Sequence, residues 1–174
     1  IYGMLKYCFG WEDQQGKEIS GETGKGLRPA LCLFAAEALG GSYYKAIYAA
    51  ISLELIHNFS LIHDEIQDFD EFRHHRPTLW AVWGPEKALV AGDVLKVIAD
   101  KSIEDFGKYT VRDENNNFEL HRECTKLLTE ACLQMIEGQY LDITFEKEIN
   151  VGIDQYLDMI SKKTGALIRC SLNL

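Results

Sequence analysis

Proline is scarce in this chain, with three in 174 residues, and long stretches carry neither proline nor glycine. Proline removes a backbone donor and breaks a helix interior, so its scarcity leaves long helices open to the chain. Period-two alternation of apolar and polar residues is nearly missing, which argues against a sheet of any size. A long apolar run is missing as well. The least polar stretch, Ala46 to Ile62, carries Glu54, His57 and Asn58, which excludes a membrane span. Basic surplus is lacking: the net charge is −9, so a general nucleic-acid binder is excluded. The five cysteines (Cys8, Cys32, Cys124, Cys132, Cys170) form no C-x-x-C pair, and reduced, buried thiols are expected. No targeting segment is visible, and the expected location is the cytoplasm. Neither a repeat nor a low-complexity linker divides the chain, so residues 1–174 are expected to belong to one domain.

What is present is helical periodicity. "RPALCLFAAEALGG" has Pro29 where a first-turn proline fits and Gly40-Gly41 where a helix stops. Ser42 to Phe72 runs 31 residues without glycine or proline. Ile47, Ala50, Ile51, Leu55 and Phe59 keep a three-four spacing there, which predicts one long helix. "GPEKALVAGDVLKVIADKSIEDFG" predicts another from Pro85, with a bend at Gly92. "KYTVRDENNNF" reads as a polar loop. Phe118 to about Glu146 is expected to be helical, with Leu120, Cys124, Leu127, Leu128, Ala131 and Met135 on one side, and a last helix begins near Ile153. The fold class expected is all-α.

One stretch departs from ordinary helix surface: "HDEIQDFDEFRHHRPT", His63 to Thr78. Five of the eight residues from Asp64 to Glu71 are acidic, and four of the next five are basic or imidazole. At about 100° per residue, Asp64 lies at 0°, Asp68 at about 40°, Glu71 at about −20° and His57 at about 20°. These four form one polar stripe, with Glu65 on its shoulder at about 100°. His63, at about −100°, falls off the stripe and is expected to pack or hydrogen-bond. Like charges one turn apart destabilise a helix, and a cation bound between them removes the penalty. Hard carboxylate oxygens suit Mg²⁺, which keeps several waters and shares its sites with substrate phosphates. Arg73, His74, His75 and Arg76 would then reach phosphate oxygens directly. A bare acidic stripe is most often a solvated helix face. A second cationic cluster, "GKGLRP" with Lys25 and Arg28, changes that balance. Two cationic clusters and one acidic stripe suggest a site for two phosphorylated ligands, one held through metal and one held directly.

The motifs resemble those of the trans-isoprenyl diphosphate synthases (polyprenyl synthetases), most closely the geranylgeranyl type. "GKGLRP" is similar to that family's GK-x-LRP. "ELIHNFSLIHDEIQD" resembles its first aspartate-rich motif, E-L-[IL]-H-x-x-S-L-I-H-D-D-x-x-D. "RHHRPT" resembles RRGRPT. "AGD" (Ala91–Asp93), "GQYLD" (Gly138–Asp142) and "KTGAL" (Lys163–Leu167) follow in the family's order. The resemblance implies a large helical bundle, usually a homodimer, with this chain as its N-terminal part. It implies that an allylic diphosphate, held by three Mg²⁺ ions (Mn²⁺ as a substitute), ionises and is attacked head-to-tail by isopentenyl diphosphate, releasing pyrophosphate.

Carried over by position, the resemblance implies that Asp64 and Asp68 ligate Mg²⁺, with Asp142 reaching a metal through water. It implies that Lys25, Arg28, His57 and His74 hold isopentenyl diphosphate. Arg73 and Lys163 would grip the allylic diphosphate and serve catalysis, Thr164 would help position it, and Gln139 would face the metal-phosphate cluster. Asp93 is expected to be structural. Glu65 stands where the family has a second Asp, and tolerance is expected. His74 stands where a second Arg is common, and a neutral imidazole would weaken that grip. No second aspartate-rich motif occurs; "DKSIED" (Asp100–Asp105) is the nearest spacing and reads as surface. The chain is therefore expected to be the front part of a longer protein, inactive by itself. For product length, the family's stopper position is Phe59, while the helical wheel favours Ser60 beneath the stripe; the pattern resembles enzymes making about four isoprene units. Two other functions fit parts of the pattern. A non-catalytic subunit of a heteromeric prenyl synthase would lose metal ligands, and a terpene cyclase would lack the second diphosphate site. Asp64, Asp68, Lys25 and Arg28 argue against the first, and "GKGLRP" with His57 against the second.

Overall fold

The structure, a computed structural model, describes residues 1–19, 24–109 and 114–174. The described residues form helices α1 (Tyr2–Cys8), α2 (Leu27–Ala38), α3 (Tyr43–Gln67), α4 (Leu79–Trp83), α5 (Pro85–Tyr109), α6 (Glu114–Phe145), α7 (Ile153–Ile160) and α8 (Ala166–Asn173). A π-helical turn, Ser161–Gly165, joins α7 to α8. The all-α expectation holds. The one sheet among the described residues is a small antiparallel hairpin of β1 (Phe72–Arg73) and β2 (Arg76–Pro77).

Local chemistry explains most boundaries. Helix α2 closes as expected at the paired glycines. Gly40 takes φ +80°, its N–H donates to Glu37 O at 2.9 Å, and Gly41 N–H donates to Ala36 O at 2.9 Å. These are the two bonds of a Schellman cap. Gly84, at φ +88°, ends α4, and Pro85 opens α5 in the position where its missing N–H costs nothing. Helix α5 runs unbroken through Gly92 to Tyr109. Two expectations shift. Lys108 and Tyr109 belong to α5 and Glu114 to Phe118 to α6, while the rest of the polar loop, residues 110–113, lies outside the described residues. The long helix expected through Phe72 ends at Gln67.

The chain clusters into two units, each described by itself: residues 1–26 with 54–99, and residues 27–53 with 100–174. In the first, Leu5, Tyr7, Ile62, Leu79, Ala88, Ala91 and Leu95 form the core. In the second, α8 packs on α2 and α6, burying Cys32, Cys124, Leu128, Met135, Leu167 and Cys170. Each fully buried leucine stabilises by about 1.5–3 kcal/mol. The buried face of the first half of α3 is Ala46, Ala49, Ala50 and Leu53, whereas Ile47 and Ile51 are exposed. Periodicity found the helix and misjudged its facing by about one residue. On α6, Leu120 is likewise exposed, while Cys124, Leu128, Ala131 and Met135 are buried as expected.

Candidate active site

The carboxylates stand where α3 ends. Asp64 is half-buried and Asp68 exposed, one turn apart; Asp68 N–H donates to Asp64 O at 2.8 Å, the last turn of helical bonding. Phe69 then takes φ +56°, and Asp70 N–H donates back to Glu65 O at 3.0 Å. This is a Schellman-type closure with phenylalanine in the left-handed position that glycine usually fills. It takes the chain off the helix axis, so Glu71 does not continue the stripe as the wheel expected. Asp64 and Asp68 sit at the negative end of the helix dipole, and the last turn carries no basic residue. Both the dipole and mutual repulsion therefore favour a cation there. Among the described residues no three His, Cys, Asp or Glu side chains converge as a metal cage. Two carboxylates one turn apart fit Mg²⁺ all the same, because that ion takes one or two protein oxygens and completes its shell with water and phosphate.

Glu65 turns away from this pair. Its side chain is 9% exposed, and its Oε1 accepts a hydrogen bond from Arg73 Nη1 at 3.2 Å. Burial pushes its carboxyl above the usual carboxylate range, and the Arg73 guanidinium pulls back against that shift. Arg73 lies on β1, next to a two-residue turn in which His74 and His75 both adopt positive φ, 49° and 62°. Both residues of a type I′ hairpin turn need that geometry. The resembled motif has glycine where this chain has His75. Arg76 is drawn elsewhere: its guanidinium lies 4.3 Å over the Tyr7 ring and donates to Glu12 O at 3.4 Å. It anchors α1 to the hairpin. Behind the hairpin, Asp70 O accepts from Thr78 Oγ1 and Trp80 Nε1, both at 2.8 Å.

Along α3, His57 is half-buried and its carbonyl accepts the Ser60 hydroxyl at 2.8 Å. Phe59 packs against the core of the first unit, with its ring edge-on to His63 at 4.7 Å. His63 Nε2 lies 3.2 Å from Leu89 O and 3.8 Å from Asp93. A Cβ at Gly92 would come within 2.5 Å of the His63 ring. The "AGD" motif thus makes room for a packing histidine, and His63 behaves as its off-stripe position implied. Lys25 is exposed just before α2.

In the second unit, Arg28 is half-buried in the first turn of α2. Gln139 is buried on α6. Asp142, one turn on, forms a short ion pair with Lys163. Lys163 and the exposed Thr164 belong to the π-helical turn, a distortion often found at functional sites. Gly138 explains how the two motifs meet. A Cβ there would lie 2.6 Å from Lys163 Cα and 2.8 Å from the Lys162 carbonyl carbon, so only glycine lets these backbones touch.

Comparison with known proteins places the chain in a family. The polyprenyl synthetase family model matches residues 11–174. The chain belongs to the polyprenyl synthetase family. It is 39% identical over 168 residues to a (2E,6E)-farnesyl diphosphate synthase of Mycobacterium bovis, covering 97% of this chain and 44% of that protein. It is 41% identical over 151 residues to a geranylgeranyl pyrophosphate synthase of Geoglobus acetivorans, covering 87% and 45%. The crystal structure of a polyprenyl synthetase from Streptomyces coelicolor A3(2) superposes with a TM-score of 0.87 at 37% identity, covering 98% of this chain and 47% of that one. The chain thus spans less than half the length of these relatives. Its run from Asp64 to Asp68 is the stretch that resembles that family's first aspartate-rich motif. No described helix is long and apolar enough to cross a membrane. The Glu65–Arg73 pair and the Gly138 contact escaped sequence reasoning. The signal for the second was the glycine itself, an expensive residue mid-helix that needs a packing reason.

Proposed function

We propose that the protein containing this chain condenses isopentenyl diphosphate head-to-tail with an allylic diphosphate and releases pyrophosphate. The observation that carries this reading is the carboxylate pair Asp64 and Asp68 at the negative end of α3, in a chain of this family. In this reading Asp64 and Asp68 hold Mg²⁺, with Mn²⁺ as a substitute and Asp142 assisting through water. When bound, Mg²⁺ supplies positive charge to the departing pyrophosphate. Arg73 and Lys163 bind the allylic diphosphate and stabilise the charge that develops as its C–O bond breaks. Thr164 positions that substrate, and Gln139 faces the metal-phosphate cluster. Lys25, Arg28, His57 and His74 bind isopentenyl diphosphate, whose double bond attacks the allylic cation before a proton is lost. Asp142 also pairs with Lys163. The reading carries with it a cytoplasmic homodimer and a product of about four isoprene units, the last resting on the resemblance to the geranylgeranyl type. Relatives named for both farnesyl and geranylgeranyl products support a short chain.

The test incubates the full-length protein with labelled isopentenyl diphosphate and dimethylallyl, geranyl or farnesyl diphosphate, with and without EDTA. Prenyl product is expected only where divalent metal is available. Asp64→Ala or Asp68→Ala should lower turnover by about a thousandfold, the scale of lost transition-state charge stabilisation. Absence of product from every primer would overturn the reading, and near-normal turnover in Asp64→Ala would overturn the metal assignment.

A further inference from the structure

The resembled motif carries a second Asp directly after the first, and this chain carries Glu65 there. Two contacts fix what that residue does. Its backbone carbonyl accepts Asp70 N–H at 3.0 Å, which secures the turn leading out of α3. Its carboxylate accepts Arg73 Nη1 at 3.2 Å, which secures the side chain the turn delivers. The burial of the pair is unequal, with the Glu65 side chain 9% exposed and the Arg73 side chain 37%. The carboxylate is therefore the fixed, inner partner and the guanidinium the outer one. An arginine has five N–H donors, and this bond uses one. The rest of the fork stays available to a phosphate oxygen pair. The surrounding segment is clamped as well: Thr78 N–H donates to Glu71 O at 2.9 Å, and β1 pairs with β2.

We propose that Glu65 is a positioning residue for Arg73 and not a metal ligand: it pre-orients the guanidinium that receives the allylic diphosphate. This rests on the functional reading above for the identity of the ligand. Holding a long cationic side chain in its binding geometry before the ligand arrives removes part of the ordering cost of binding. Side-chain length is the point of difference. Aspartate would withdraw the carboxylate by about one C–C bond, about 1.5 Å. That would open a 3.2 Å bond beyond hydrogen-bonding range. The tolerance of Glu65→Asp expected from sequence therefore reverses.

The experiment uses the full-length protein, wild type, Glu65→Gln, Glu65→Asp, Arg73→Gln and the Glu65→Gln/Arg73→Gln double variant. Steady-state rates are measured against geranyl diphosphate at several Mg²⁺ concentrations. Binding of geranyl S-thiolodiphosphate, which does not ionise readily, is measured by calorimetry, and urea unfolding confirms that each variant is folded. Both Glu65 variants should raise KM for geranyl diphosphate and weaken analogue binding by about tenfold, the scale of one charge-assisted hydrogen bond. The change in kcat should be much smaller, and the half-activating Mg²⁺ concentration should not move. In the Arg73→Gln background, Glu65→Gln should add nothing. A raised Mg²⁺ requirement with unchanged KM would make Glu65 a metal ligand and overturn the proposal. So would full additivity with Arg73→Gln, or analogue binding unaltered in both Glu65 variants. If wild type binds the analogue yet extends no primer, the proposed function fails while the binding comparison still decides the role of Glu65. If wild type binds no analogue, both fall.

Discussion

Phe59 and Ser60 are neighbours on α3 with different surroundings. The Ser60 hydroxyl is spent on the His57 carbonyl, so the residue presents a small, satisfied surface on the side of the helix that carries Asp64. The Phe59 ring is committed to the core of the first unit and to the His63 edge. If Phe59 limits the growing prenyl chain, Phe59→Ala should lengthen the product and also destabilise the fold by about 3 kcal/mol, because it empties part of a packed core. Ser60→Phe should shorten the product by filling the space under the stripe. Product length read by mass spectrometry separates the two positions: an unchanged distribution in Phe59→Ala would reject Phe59 as the stopper. At this scale the sequence was legible where a residue acts through its own helix. Asp64 and Asp68 were found because carboxylates four apart share a face whatever surrounds them. The partner of Glu65 was not, because Arg73 reaches it only after a left-handed turn at Phe69 and a hairpin that no period reveals.

Among the elements, the junction of α6 with the π-helical turn is the one most constrained by a single residue. Gly138 allows main chain to touch main chain, and the atoms a Cβ would meet belong to the Lys162 and Lys163 backbone. Backbone cannot swing aside as a flexible side chain does. Gly138→Ala should therefore cost about 1–3 kcal/mol, as overpacking does, despite the better helix propensity of alanine. A urea midpoint equal to that of wild type would show that the two segments are not in such contact. The same substitution should push Lys163 away from Asp142. The hairpin shows the opposite economy. His74 and His75 hold positive φ without glycine, which costs conformational energy at both positions, and the pairing of β1 with β2 keeps them there.

For the molecule as a whole, burial of thiols sets an alkaline limit. In the second unit, burial pushes Cys32 and Cys124 up to about 11 and Cys170 up to about 12; neighbouring thiols add to the shift at Cys32 and Cys170, and the Glu123 carboxylate adds to it at Cys124. In the first unit, burial pushes Cys8 up to about 12. The ordinary value is 9.0. A group whose folded value is raised holds its proton longer when folded. Its contribution is complete below pH 9 and is lost as pH climbs toward 11–12, since the unfolded chain ionises first. Stability should fall by about 1 kcal/mol per thiol at pH 10. Urea midpoints at pH 8 and pH 10 measure the fall, and lysine and tyrosine titration is separated from it by Cys170→Ala, in which the fall should be smaller. An equal fall in wild type and variant would show that the folded Cys170 thiol ionises as readily as the unfolded one, so that burial does not raise it.

Read alone, the sequence determined the helical class, the existence of each long helix, the stripe that carries Asp64 and Asp68, and the order of the six motifs. These depend on propensity and on spacings of three or four residues, which the local backbone geometry enforces before any packing occurs. Tertiary structure alone decided that α3 stops at Gln67, that Glu71 leaves the stripe, that Arg76 stacks on Tyr7, and that Asp142 closes on Lys163. In each case the deciding partner lies far along the chain, or the backbone must adopt a left-handed angle that its own residue disfavours. Such choices are settled by burial and pairing between segments, and a periodic reading of one segment contains neither.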